Sequence, residues 1–360
     1  MTKDTYKILG IMSGTSLDGI DLAYVTLDKH QEVWKYKMHD CKTIGYSDYW
    51  YDTLKDLVKF SPSELAHIDK DYTKYLAETV VNFTQENKID DLDFISSHGH
   101  TALHEPEKGI TYQIGNLPEL ANLIKLTVVC DFRVEDVEMG GQGAPLVPIG
   151  DLLLFGDYDF CVNLGGFANI STEIKGERIA YDVCPLNIVL NHYTQEVGKP
   201  YDDEGKLALT GELNLELLNQ LNSIQFYKKG YPKSLGIEWV SANFLPITEA
   251  YKLPVKDILR TCIEHFAIQI TNQFRNAEDK KALFTGGGVY NTFLMRRIEN
   301  LSAIKVIKPS SEIIEFKEAL VFALLGALKM RNEVNCLSTV TGALRDHSSG
   351  KIYRPENSTY

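Results

Sequence analysis

The stretch Tyr6–Leu27, YKILGIMSGTSLDGIDLAYVTL, decides how the rest of the chain is read. Tyr6 to Met12 is a short apolar run, Ser13 to Gly19 is a turn of small and polar residues, and Ile20 to Leu27 is a second apolar run. Two such runs around a glycine-bearing turn predict a β-hairpin, and a third run within Glu32–Ile44 extends it to a meander. Helical spacing follows over Tyr49–Lys59 and over Ser63–Asn87, the latter with Ser63 as N-cap and Leu65, Ile68, Tyr72, Leu76 and Val80 at helical spacing. Phe94–Ser97 and Leu126–Cys130 return to strand.

The same order begins again near residue 158. Phe160–Leu164 reads as a strand, Gly165–Ala168 as a glycine turn, Asn169–Ile174 as a second strand and Arg178–Val183 as a third, after the turn signal Lys175-Gly176-Glu177. Helical patterns at Ile188–Val197, Leu213–Gln220 and Val255–Ala277 precede short strands at Ala282–Phe284 and Lys305–Ile307. A meander followed by alternating helices and strands, met twice, predicts a duplicated α/β unit, with the Gly- and Pro-rich stretch Val134–Pro148 as the crossover. The 360 residues leave room for two such units at about 150 residues per domain.

Composition narrows the function classes. Lys plus Arg number 37 against 49 Asp plus Glu, a formal charge of -12, and the densest basic stretch, Tyr227–Lys233, holds three lysines. Such a surface repels phosphodiester backbones, so nucleic acid is not an expected partner. The six cysteines are scattered without a C-x-x-C pair and read as small apolar residues in a reducing compartment. Met1–Lys7 is polar and unlike a signal peptide, and the longest nearly uninterrupted apolar stretch, Ala319–Leu328, is about half of what a bilayer requires. The expectation is a soluble, cytoplasmic protein with no membrane partner.

Three glycine turns follow strands: Gly14-Thr15-Ser16-Leu17-Asp18-Gly19, Gly165-Gly166-Phe167-Ala168-Asn169 and Gly286-Gly287-Gly288-Val289-Tyr290-Asn291. Any one alone is also what a tight turn needs. Three at comparable places in a repeated unit point to backbone amides that cradle phosphate, although none matches the Walker or Rossmann spacing. Asp18 and Asp21 stand where a carboxylate can hold a nucleotide's Mg²⁺, and are equally at home as solvated turn acids. Asp182 ends a strand just before Cys184-Pro185, as a catalytic carboxylate or as a helix cap. Ser97-His98-Gly99-His100-Thr101 with His104 lacks the spacing of a zinc site and reads as a polar, ligand-facing loop. Arg133 and Lys233 are cationic candidates for an anionic ligand, and Glu318 opens an apolar helix where an acid needs a partner or a ligand.

Taken together, GIMSGTSLDGID at 10–21, SHGHT-x-x-H at 97–104, QIGN at 113–116, DFR with GGQGAPLVP at 131–148, NLGGFANI at 163–170, PKS-x-G-x-E at 232–238, TGGGVYN-x-x-L-M at 285–295 and KEA-x-x-FA at 317–323 resemble the anhydro-N-acetylmuramic acid kinases, in family order. The resemblance implies an α/β fold of two duplicated RNase H-like domains, that of the actin-like ATPases, with a central interdomain cleft. It implies an N-terminal domain of residues 1–133 plus the returning segment 336–360, and a second domain of residues 134–335. ATP would be bound by Gly14, Thr15, Ser16, Leu17, Asp18, Gly19, Ile20 and Asp21 and by Gly165, Gly166, Gly286, Gly287, Gly288 and Asn291. Mg²⁺ would be held at Asp18, directly or through water. Asp182 matches the family's catalytic base, and Thr101, Arg133, Glu318, His98 and His104 are the implied substrate-side residues.

The implied reaction opens the 1,6-anhydro ring with water and phosphorylates the freed 6-oxygen, giving N-acetylmuramic acid 6-phosphate and ADP during peptidoglycan recycling. A homodimer is implied as well. The chain departs from the family pattern at Asp182-Val183-Cys184-Pro185-Leu186-Asn187, where two glycines are lost, at His100 in place of glutamine, and at Leu235 and Ile237 in the PKS segment. A levoglucosan-type kinase, a catalytically silent nucleotide-dependent sensor of wall fragments, and a phosphatase or polyphosphate enzyme of the same superfamily are the competing readings.

Overall fold

The computed structural model describes residues 3–274 and 279–356, so the end of the expected helix Val255–Ala277 lies outside the described residues. The deciding stretch folds as read. β1 (Thr5–Ser13) and β2 (Ile20–His30) form an antiparallel hairpin in register from Thr5↔Asp28 to Ser13↔Ile20, and β3 (Val33–Ile44) completes the meander. β4 (Phe94–Glu105) runs parallel to β1 and is flanked by β5 (Ile110–Ile114), antiparallel, and β6 (Val128–Cys130), parallel. The second sheet repeats the plan. β7 (Phe160–Leu164), β8 (Phe167–Ile174) and β9 (Glu177–Pro185) form a meander, β10 (Lys281–Thr285) lies parallel to β7, and β11 (Lys305–Ile307) lies parallel to β10. β12 (Lys351–Tyr353) returns to the first sheet and pairs with β6.

The strand orders are β12-β6-β4-β1-β2-β3, with β5 on β4, and β11-β10-β7-β8-β9. In both sheets the first strand of a meander has a parallel partner on its other side. This is one RNase H-like topology used twice, the duplicated fold of actin-like ATPases that the family resemblance implies; the strand pattern of the sequence predicts the duplication. β1 is central and buried on both faces through Ile8, Leu9 and Ile11. Each such side chain contributes roughly 1.5–3 kcal/mol by leaving water.

Contacts divide the chain into Met1–Phe155 with Phe316–Tyr360, and Gly156–Glu315. Residues 134–155 and 316–335 therefore pack with the first unit, whereas the division implied by the family resemblance put them in the second. Two contacts show why: Ser96 Oγ of β4 donates to the Phe322 carbonyl at 2.5 Å, and the Phe155 ring lies 5.5 Å from that of Tyr36 on β3. The two segments also hold each other, with Gly150 packed on Val321 and the buried ion pair Asp151–Lys317 closing at 2.6 Å. The stretch Val134–Pro148, expected as a crossover, carries the helix Val134–Glu138 and leads into the helix Pro148–Leu154.

In the first unit the helix Pro62–Glu86 lays Leu65, Tyr72, Leu76, Val80 and Phe83 into a core with Leu9, Ile11, Ile20 and Ile95. Its N-cap is Ser61 rather than Ser63. Ser61 Oγ accepts from the Glu64 N–H while Glu64 returns a bond to the Ser61 N–H, and Pro62 occupies the first turn. The helix Ser311–Met330 meets β1 at Gly10, where a β-carbon would lie 2.0 Å from the Ala319 carbonyl oxygen. Any side chain there would push helix and sheet apart. In the second unit the helix Val255–Thr271 buries Ile258, Leu259, Ile263 and Phe266 in a core shared with residues of β7, β8, β9 and β10. Among the described residues the six cysteines are free, and no helix is long and apolar enough to cross a membrane.

Candidate active site

Residues from both repeats carry the expected chemistry, and each repeat is described separately. In the first unit, β1 and β4 are parallel neighbours with Ile11 opposite Ser97 and Ser13 opposite His100. The Gly14–Gly19 turn therefore leaves the sheet beside the Ser97–Thr101 stretch. Ser97–Thr101 is not the loop expected but part of β4, interrupted by an irregularity where Gly99 takes φ +73 against Asn116. Alternation along a strand, not loop freedom, decides where its side chains go.

The Gly14–Gly19 turn is tied by Leu17 N–H to Gly14 O at 3.3 Å, and Ser16 Oγ donates to Asp18 Oδ1 at 2.7 Å. Thr15, Ser16 and Asp18 are exposed. Ile20 is buried in β2, and Asp21 accepts from Thr43 Oγ1 of β3 at 2.5 Å. Beneath the turn lies a polar cluster absent from the sequence reading. Ser13 Oγ meets His100 Nδ1 and Tyr46 OH at 2.6 Å each, and Tyr72 OH donates to it at 3.1 Å. Burial pushes the His100 imidazole down to about 4, so it sits in this cluster as a neutral ring.

His98 and Arg133 form a unit. Arg133 Nε donates to His98 Nε2 at 3.0 Å and Arg133 Nη1 to the Gly143 carbonyl at 2.6 Å. His98 Nδ1 faces the carbonyls of Gly99 and Ser13 at 2.9 and 3.2 Å. Only the neutral tautomer with hydrogen on Nδ1 satisfies both sides. Burial, and next the Arg133 charge, hold the imidazole well below its ordinary pKa, which agrees. His98 thus aims the guanidinium of Arg133. Glu318 lies in the same electrostatic neighbourhood: burial pushes its carboxyl up, Arg133 and Lys317 pull it down, and Asp18 and Asp151 push it up again. The Gly10–Ala319 contact sets the helix that carries it. Thr101 lies opposite Gln113 on β5, while His104 is exposed and meets Thr111 Oγ1 at 3.1 Å. Gln113 and Asn116, in the QIGN segment but with no role in the sequence reading, are buried beside these residues: Asn116 Nδ2 donates to the His98 carbonyl at 3.1 Å and Gln113 Nε2 to Thr111 Oγ1 at 2.9 Å. An amide within the short strand β5, Gln113, and a second just past its end, Asn116, were the available signal.

In the second unit, β7 and β10 are parallel neighbours with Thr285 opposite Asn163, so Gly165–Gly166 and Gly286–Gly288 also leave one end of a sheet. A β-carbon built on Gly166 or Gly287 meets no heavy atom within 4 Å, whereas on Gly286 it would lie 2.4 Å from Asn163 Oδ1 and on Gly288 2.7 Å from Leu164 Cβ. Gly286 and Gly288 are glycine for packing. Gly166 and Gly287 hold open a space beside exposed backbone, which fits a phosphate-bearing ligand. Asn291 is buried and its Oδ1 caps the helix Thr292–Leu301 by accepting from the Leu294 N–H at 2.9 Å.

Asp182 sits in β9 opposite Asn169, beside a register shift at Ala168/Asn169. Its N–H donates to the Lys233 carbonyl at 3.1 Å and its Oδ2 accepts from the Leu235 N–H at 2.7 Å. That fixes the carboxylate by one oxygen and leaves Oδ1 for a proton. Burial raises its pKa, with the Leu235 bond and Lys233 acting in the opposite direction. Lys233 Nζ stands over the Phe226 ring at 4.7 Å and the Tyr181 ring at 5.7 Å, and burial lowers its pKa. The departures beside Asp182 point inward: Cys184 and Leu186 belong to the buried core, and Leu186 N–H and Asn187 N–H bind the carbonyls of Gly166 and Gly165. The positions of the lost glycines are thus filled by core side chains.

The family model described as anhydro-N-acetylmuramic acid kinase matches residues 6–355. The anhydro-N-acetylmuramic acid kinase of Actinobacillus pleuropneumoniae serotype 7 is 33% identical, covering 98% of this chain and 100% of the relative. That of Pseudomonas syringae pv. tomato is also 33% identical, covering 96% and 98%. A crystal structure of Acidaminococcus fermentans (R)-2-hydroxyglutaryl-CoA dehydratase component A is similar with a TM-score of 0.47 at 11% identity, over 91% of this chain and 99% of that one. With the family match running nearly end to end and full-length relatives at a third identity, the chain belongs to the anhydro-N-acetylmuramic acid kinase family.

Proposed function

We propose that this chain is an ATP-dependent kinase that opens 1,6-anhydro-N-acetylmuramic acid with water and phosphorylates the 6-oxygen, serving peptidoglycan recycling. The observation that carries the reading is Asp182: a half-buried carboxylate, held by the Leu235 N–H through one oxygen and made more basic by burial. Asp182 Oδ1 takes a proton from the water whose oxygen bonds to the anomeric carbon. The bond from that carbon to O6 breaks, O6 bonds to the γ-phosphorus, and the bond from phosphorus to the ADP oxygen breaks. Charge and atoms balance, and a general base of this kind contributes about 10²- to 10⁴-fold in rate.

The amides of Gly14–Asp21, Gly165, Gly166 and Gly286–Gly288 bind nucleotide phosphates, and Asn291 supports the last turn as its cap. Asp18, exposed and oriented by Ser16, is the residue that would hold Mg²⁺, directly or through water. Mg²⁺ supplies charge neutralisation on the phosphates. On the sugar side, Arg133 aimed by His98 pairs with the lactyl carboxylate, while Thr101, Glu318 and His104 bind its hydroxyl and amide groups. The homodimer implied by the family and a cytoplasmic location belong to the same proposal.

Incubation with ATP, Mg²⁺ and either anhydro-N-acetylmuramic acid or levoglucosan, followed by mass analysis, tests it. The expected product is N-acetylmuramic acid 6-phosphate with one ADP per sugar. Faster phosphorylation of levoglucosan would move the substrate assignment to the alternative kinase, and ADP release without sugar phosphate would refute the kinase.

A further inference from the structure

Asp136, Cys336 and His347 bring a carboxylate, a thiol and an imidazole together inside the first unit, each buried, with their ligand atoms within 4.8 Å of one another. Cys336 and His347 face each other on an antiparallel bridge and exchange both backbone hydrogen bonds, at 3.1 and 3.2 Å. Asp136 comes from the helix Val134–Glu138.

The hydrogen bonds around the cluster resemble the outer shell of a metal site. His347 Nδ1 lies 3.0 Å from the Arg345 carbonyl, which fixes the hydrogen on Nδ1 and presents a lone pair at Nε2. That nitrogen has no hydrogen-bond partner, although the residue is only 7% exposed, and it lies 3.6 Å from Asp136 Oδ1. A lone pair facing a carboxylate oxygen requires something positive between them. The carboxylate is itself held from behind, Oδ2 by the Gly143 N–H and Oδ1 by Thr341 Oγ1, both at 2.7 Å. A proton on Nε2 would satisfy histidine and aspartate. It would leave the thiol of Cys336 to its own contacts, the Phe132 carbonyl at 4.0 Å and the Ser349 hydroxyl, outside the cluster.

The geometry points to a structural site for one zinc-like divalent ion ligated by Asp136, Cys336 and His347. This donor set selects Zn²⁺ or Co²⁺ over Mg²⁺ and Ca²⁺, which take oxygen ligands. Its two anionic ligands neutralise a divalent charge, so Arg133, which precedes the same helix, meets no surplus positive field. On binding, the sulfur–hydrogen bond of Cys336 is replaced by a sulfur–metal bond and the proton passes to solvent, with no change of oxidation state. The ion fastens residues 336–347 to the helix of Asp136, and through Gly143 to the carbonyl that Arg133 Nη1 contacts. It takes no part in the proposed phosphoryl transfer and stands or falls apart from it.

The test is titration of the full metal-stripped chain with Co²⁺, then Zn²⁺. One Co²⁺ per chain should bind with a near-ultraviolet thiolate charge-transfer band that Zn²⁺ abolishes, and Zn²⁺ should raise the thermal midpoint. Cys336→Ser should lack the band, and His347→Gln should bind at least about tenfold more weakly. A wild-type chain that takes up no Co²⁺, or binds it without the thiolate band, overturns the site, as does an unchanged spectrum in Cys336→Ser. The wild-type titration decides alone if a variant does not fold.

Discussion

At the scale of single residues, the account rests on how each carboxylate and imidazole is held. Asp182 is fixed by a backbone N–H and raised by burial, so Asp182→Asn should keep that contact while removing the base. Sugar phosphate formation should fall by at least about 10²-fold with nucleotide affinity nearly unchanged, as measured by calorimetry beside turnover. A base works only when ionised, so kcat/KM should fall as pH drops through the Asp182 pKa, with its midpoint above the usual aspartate range. His98 acts through Arg133. His98→Ala should raise KM for the sugar while leaving that for ATP and the acid limb of the pH profile in place, and equal changes in both KM values would deny it the positioning role. Residue types and order made Asp182, Arg133 and Glu318 legible in sequence. The orienting contacts were not: Leu235 reaches Asp182 from a loop 53 residues further along the chain, and Gln113 is placed by the pairing of β5 with β4. Nor did spacing disclose Asp136 with Cys336 and His347, because Asp136 lies 200 residues before Cys336 in the chain.

At the scale of elements, the meanders were readable because apolar runs and turn residues are local signals. β7 and β11 match their expected limits residue for residue. β4 did not: its polar Ser97–Thr101 stretch looks like a loop, and only burial between β1 and β5 makes it strand. The helix cap moved from Ser63 to Ser61 because the reciprocal bond to Glu64 outweighs position alone. The turn after β10 offers a paired prediction. Gly286 has φ +82 and ψ 160, a region almost exclusive to glycine, and its β-carbon would strike Asn163. Gly286→Ala should therefore cost about 1–3 kcal/mol in urea unfolding. Gly287→Ala, with open space around the new methyl, should change stability by less than about 0.5 kcal/mol yet weaken nucleotide binding. Equal destabilisation by both would contradict the assignment of Gly287 to a ligand.

At the scale of the whole molecule, burying neutral imidazoles ties stability to pH. His98, His100 and His265 are held below the ordinary imidazole value by burial, His100 to about 4 and His265 to about 3. Below about pH 6.5 the unfolded chain takes up protons that the folded chain refuses, so stability falls as pH drops from there toward the folded values. His100→Gln, which restores the family's usual residue, should lose about 2 kcal/mol less than wild type between pH 6.5 and 5, by urea unfolding at each pH. Parallel losses would place His100 in a setting unlike the one described. The duplicated topology was visible in the sequence as two meanders. The packing of residues 134–155 and 316–335 with the first unit was not, since it depends on contacts such as Ser96 Oγ to the Phe322 carbonyl that no local pattern announces. The central claim is that water, activated by Asp182, opens the anhydro ring while the released oxygen takes the phosphoryl group. Turnover in heavy-oxygen water, quenched promptly and read by mass, tests it most directly: the label should appear on the anomeric carbon of the sugar 6-phosphate and be absent from its phosphate, whereas label in free inorganic phosphate with unlabelled sugar would contradict the account.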